Sequence, residues 1–146
     1  MVLTGPNQPF KMMNVPDPSP SSGEAVAKVI SCGAGLTIQH IRAGRTKIDY
    51  PRIIGHEITA EIIEVGKDVA HLKVGDPVTA YYYLTCGNCR WCIGGRETLC
   101  DNFLGYVGKS INGGYAEFIK LGNLSIEQRL GKIKFIVILI IYRRYR

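Results

Sequence analysis

No apolar run in this chain is long enough to cross a bilayer as a helix, which takes roughly 20 residues. The longest, Phe135–Tyr142, is bracketed by Lys132, Lys134, Arg143 and Arg144. The N-terminus, Met-Val-Leu-Thr-Gly-Pro, has neither the charged nor the apolar region of a secretory signal. A cytoplasmic location is therefore expected, with no membrane partner. No G-x-G-x-x-G or related glycine fingerprint occurs, which excludes a recognisable dinucleotide-binding unit within these residues. Excess charge is also missing from most of the chain. Of 18 bases, six (Arg129, Lys132, Lys134, Arg143, Arg144, Arg146) fall after residue 128, where no acid follows, and the rest are balanced by 12 acids. The whole-chain pI of 9.1 is thus a property of the tail, and no nucleic-acid partner is expected.

What the chain does have is turn chemistry. With 17 glycines and 7 prolines in 146 residues, a β protein rich in turns is favoured over a helical one. Strands are expected at Met1–Thr4 and Phe10–Val15 around a Gly5-Pro6-Asn7 turn, and the proline- and serine-rich stretch 16–23 reads as a loop. Glu24–Ser31 and the β-branched Ile58–Val65 read as strands, ended by Gly33 and Gly66 respectively. Leu36–Arg42 reads as a short helix with Leu36 and His40 on one face. Val78–Leu84 and Tyr115–Leu121 complete a set of short strands separated by glycine turns, the pattern of a partly open β-barrel.

Cysteine is concentrated rather than scattered. Four of the five lie in one loop as Cys86-Gly-Asn-Cys89-Arg-Trp-Cys92 followed by Cys100. Cysteines three apart bridge with difficulty, whereas four thiolates at this spacing can close a tetrahedral zinc site. The metal-type spacing also suits a reducing compartment. Because four thiolates leave no open coordination position, such a zinc is structural. One zinc per chain is expected, held by a lobe over residues 84–103.

Two further groups can carry chemistry. Gly55-His56-Glu57 stands just before the strand at 58–65 and can supply one metal ligand with a neighbouring carboxylate. Thr37 and His40, three apart on the short helix, can pass a proton between a buried oxygen and solvent. Each also has a plainer explanation, as a hydrogen-bonded surface pair and as a helix cap with a helix-face residue.

In chain order these motifs, with Glu64-Val65-Gly66, Val74-Gly75-Asp76-Pro77 and Gly113-Gly114-Tyr115-Ala116-Glu117-Phe118, resemble the N-terminal GroES-like catalytic domain of the zinc-dependent medium-chain alcohol dehydrogenases. The resemblance covers residues 1 to about 121. It implies a mainly β, GroES-like partly open barrel over residues 1–124, with an atypical basic, isoleucine-rich tail at 125–146. It implies that Cys86, Cys89, Cys92 and Cys100 hold a structural zinc, and that His56, with Glu57 beside it, belongs to a catalytic zinc site. Thr37 then takes the alcohol proton and His40 passes it on by way of the nicotinamide ribose, while hydride goes to NAD or NADP. The substrate implied is a small alcohol or carbonyl compound, and Leu36, Tyr82 and Tyr83 are candidates for an apolar pocket.

The chain departs from the family in three places. Gly35 stands where the family has a cysteine ligand of the catalytic zinc, two residues before Thr37, with Cys32 the spare thiol and Ile38 at a commonly acidic position. The Rossmann domain that would bind the cofactor is absent. Beyond about Ser125 the sequence stops resembling the family, as a frameshift or premature end would leave it. The expectation is a truncated oxidoreductase domain with an incomplete catalytic site. A zinc-stabilised β-domain serving as a binding or assembly module is the alternative, and Gly35 also suits a metal-free reductase of the same superfamily.

Overall fold

A computed structural model describes residues 1–70 and 72–122. The tail expected at 125–146, its apolar run and the last residues of the 1–124 domain lie outside the described residues. The elements are β1 (Glu24–Cys32), α1 (Leu36–Arg42), β2 (Ile58–Val65), β3 (Pro77–Thr79), β4 (Tyr83–Leu84), α2 (Arg90–Ile93), a single 3-10 turn (Glu97–Leu99), β5 (Gly105–Tyr106) and β6 (Phe118–Gly122). Four strands form an antiparallel sheet in the order β3-β2-β1-β6, and β4 pairs with β5 in a separate two-stranded ribbon. The architecture is that of a mainly β, GroES-like open barrel. Among the described residues, no helix is long and apolar enough to cross a membrane.

Period-two alternation makes β2 what it is. Ile58, Ala60 and Ile62 are buried, while Thr59, Glu61 and Ile63 face outward, the pattern of a strand with one covered face. Strand β1, paired with β2 on one edge and β6 on the other, is buried continuously at Ala25, Val26 and Ala27. Its register against β2 shifts between Val26 and Ala27 and again between Val29 and Ser31. Such irregularities bend a strand, which here turns the sheet toward a barrel. Ile58, Ile62, Val78, Val107, Ile119 and Leu121 fill the main core, each contributing roughly 1.5–3 kcal/mol by leaving water.

A second core lies under α1. Ile38 and Ile41, three apart, turn one face of the helix onto Leu3 and Ile54, whereas Leu36 is 71% exposed. The apolar stripe on this helix thus falls on the 38/41 positions and leaves Leu36 outside it.

Four expected strands differ from what forms. The stretches at 1–4 and 10–15 make only isolated bridges, Val2 with Lys11 and Leu3 with Arg52. Prolines 6, 9 and 16 remove donors that a longer ladder needs. Val78–Leu84 is divided: β3 ends at Thr79, and the chain crosses to the ribbon, where Val107 donates its N–H to the Tyr82 carbonyl at 2.9 Å. Residues 115–117 precede β6 instead of belonging to it, because Gly114 and Tyr115 donate their N–H groups to Gly55 and Ile54 (3.0 and 3.0 Å).

Candidate metal lobe and reaction centre

The lobe is a loop closed at its base by the β4–β5 ribbon. Cys89 caps the N-terminus of α2, Cys92 lies within that helix, and Cys100 follows the 3-10 turn. Cys86, Cys89, Cys92 and Cys100 place their Sγ atoms within 4.8 Å of one another. Individual separations are 3.5 Å for Cys89–Cys92, 3.5 Å for Cys86–Cys100 and 4.0 Å for Cys89–Cys100. A disulfide needs about 2.05 Å. Four sulfurs at about 2.3 Å from a tetrahedral zinc lie roughly 3.8 Å apart, so the donor set fits that ion in number, softness and spacing.

The surroundings also favour thiolate. Backbone N–H groups of Asn88 and Cys89 hold the Cys86 thiol down to about 6, and the Cys92 N–H lowers the Cys89 thiol below its ordinary value. Cys92, buried in the lobe, is pushed up to about 12, since desolvation opposes its charge when no cation is beside it. The Cys86 N–H points at Cys100 Sγ at 3.3 Å. Trp91 Nε1 donates to Asp101 Oδ1 at 3.0 Å, with the Arg90 guanidinium 4.7 Å from the indole centroid. These contacts tie α2 to the residue after the last cysteine.

The second site is assembled by close backbone crossings. Gly108 and Gly113 both press on the Gly55 backbone, and Gly55 has a φ of +101°, a conformation that favours glycine. His56 is thereby fixed between this crossing and β2. It is half-buried, with its ring 5.1 Å from that of Tyr82. Burial pushes its pKa down, against the opposing pull of Glu57, so the neutral imidazole is favoured.

Glu57 turns toward the segment before α1. The Gly33 N–H donates to its carbonyl at 2.9 Å, and its carboxylate lies over Gly33 and Gly35. Tyr115 donates its hydroxyl to the Gly33 carbonyl at 3.1 Å, supporting the same segment. Cys32 packs its Sγ against Gly55 and Gly114, and burial pushes its thiol up to about 11, the state of a neutral core side chain. Thr37 and His40 are both half-buried on α1, and neither side chain hydrogen-bonds another described residue.

Sequence reasoning missed two parts of this region. Tyr106 stacks on Tyr82 at 5.3 Å and Phe103 packs on Tyr106 at 4.8 Å, extending the aromatic wall beside His56. Tyr115 supports the glycine segment. All three stand in glycine-rich stretches with no periodic pattern, so only the paired ribbon and the backbone crossing reveal them.

An open GroES-like barrel carrying a four-thiolate lobe is the architecture of a dehydrogenase's N-terminal domain. Residues 21–126 match the model of the alcohol dehydrogenase GroES-like domain, and the chain belongs to that family. It is 37% identical over 114 residues to an L-threonine 3-dehydrogenase of Streptomyces coelicolor, covering 75% of this chain and 33% of the relative. An alcohol dehydrogenase of Geobacillus stearothermophilus is 40% identical over 116 residues, covering 77% and 34%. Among solved structures, a cobalt- and zinc-bound thermostable alcohol dehydrogenase from Pyrobaculum aerophilum superposes with a TM-score of 0.77 at 31% identity, covering 83% of this chain and 38% of that one. The chain thus spans about a third of the length of the curated relatives it matches.

Proposed function

We propose that residues 1–124 are the substrate-side domain of an NAD(P)-dependent oxidoreductase acting on a small alcohol or carbonyl compound. The convergence of the Cys86, Cys89, Cys92 and Cys100 sulfurs within 4.8 Å, on a barrel of this family, carries the reading. The lobe residues would hold one zinc, which would staple the loop and supply no chemistry, and a nicotinamide cofactor bound to a separate nucleotide domain would supply the hydride acceptor. His56, Tyr82 and Tyr106 form a half-buried wall that orients the substrate and thins the water around it. The Thr37 hydroxyl receives the substrate proton, and His40, one turn further along α1, passes it outward. A location in the cytoplasm accords with the reduced thiols this lobe requires.

Residues 1–122 can be exchanged for the matching domain of the Geobacillus alcohol dehydrogenase, and the chimera assayed with a panel of alcohols and both nicotinamide cofactors. Turnover that falls about a hundredfold or more in Thr37→Val, within the range of a lost proton-transfer group, is the expected result. A folded, zinc-containing chimera without cofactor-linked turnover would instead favour a binding or assembly module.

A further inference from the structure

The resemblance that supports the proposed function implies a second metal at the reaction centre, and the donors on this chain do not assemble one. Gly35 offers no side chain at the position of the family's cysteine ligand. Among the described residues, only the lobe cysteines form a group of three or more possible ligands within reach of one ion. Cys32, His56 and Glu57 do not converge in this way, and Cys32 has its sulfur packed against Gly55 and Gly114.

The space left at position 35 is nonetheless filled. A Cβ on Gly35 would lie 2.6 Å from Glu57 Oε1, and one on Gly33 would strike Oε2 and lie 2.9 Å from Glu57 Cβ. Backbone conformation does not explain the glycine at 35. Its φ of −73° and ψ of 179° are open to any residue. What fills the space a side chain would take there is the tip of Glu57, the end of a flexible side chain.

Resting on the functional reading above, we propose that Glu57 occupies the volume of the missing thiolate, that this centre works without a metal ion, and that residue 35 decides which state it takes. A cysteine at 35 would push aside only the far end of a flexible side chain, and would place a soft donor beside His56 and Glu57.

Metal content of the purified full chain, read by elemental analysis and by cobalt(II) spectra, tests this. The wild type is expected to hold about one metal, the capacity of a closed four-thiolate site, and His56→Ala should leave that count unchanged. Gly35→Cys should raise the count to about two by adding a His56-Glu57-Cys donor set, and adding His56→Ala should return it to the starting value. Gly35→Ser, which has the bulk without the thiolate, should bind no second ion. A tightly held second metal in the wild type that disappears in His56→Ala would overturn the proposal. So would a folded Gly35→Cys chain that keeps its lobe metal and gains nothing. If Gly35→Cys fails to fold, the comparison of wild type with His56→Ala still decides the matter. Absence of the lobe metal alone would count against the functional reading and not this one, because the His56-dependent increment is still measured.

Discussion

Gly113 sits where three stretches of backbone meet. A Cβ there would strike the Gly55 carbonyl oxygen and lie 2.8 Å from Gly108 Cα and 3.0 Å from the Ile54 carbonyl carbon. Backbone cannot swing aside as a side-chain tip can, so the added methyl must force the segments apart. Gly113→Ala is expected to destabilise the domain by about 1–3 kcal/mol, as overpacking does, measured by urea unfolding. A change below about 0.5 kcal/mol, typical of an indifferent surface site, would contradict the crossing. The same residue scale shows what a sequence conceals: Gly35 and Gly113 are both glycines, yet one yields to a carboxylate and the other to backbone.

At the scale of elements, β1 and β6 are paired from Glu24–Gly122 to Lys28–Phe118, and one ion pair reinforces the end of that ladder. Lys120 Nζ lies 3.0 Å from Glu24 Oε2, and the Ser21 N–H donates to the same carboxylate at 2.8 Å. The Ser21 N–H, with Lys120 assisting, holds the Glu24 pKa below its usual 4.5. The unfolded chain therefore binds this proton more readily, and the contribution is complete above about pH 4.5 and disappears as pH falls through the lower folded value. Both groups are partly exposed, so solvent screening keeps the effect to about 0.2–1 kcal/mol. Glu24→Gln is expected to lower stability at neutral pH by that amount and to flatten the acid limb of the unfolding profile. An unchanged limb in denaturant titrations across that range would show that the pair contributes nothing.

At the scale of the whole molecule, the lobe and the barrel rest on different physics. The barrel is closed by apolar burial around Ile62, Val107 and Leu121, whereas the lobe gathers four sulfurs within 4.8 Å with little apolar surface of its own. Thiolates so close repel one another without a cation, and binding energy there is folding energy. Stripping metal with a chelator is expected to abolish amide protection across 86–103 while β1, β2 and β6 stay protected, as hydrogen exchange would show. Loss of protection in both regions together would mean that the lobe metal holds the entire domain. Much of this was readable beforehand. The spacing of Cys86, Cys89, Cys92 and Cys100 is local, and so is the alternation that makes β2 a strand, so each could be found along the chain. The division of Val78–Leu84 between two sheets, the aromatic wall that Tyr106 brings to His56 and the seat of Glu57 over Gly35 were not readable. They depend on which backbone runs beside which, at separations of sixteen residues or more. By itself, the sequence determined the barrel class and the metal lobe, because spacing and residue type suffice for those. Only the tertiary structure decided that the Glu57 carboxylate lies over Gly35, because a side chain fills a gap by its position in space and not by its position in the chain.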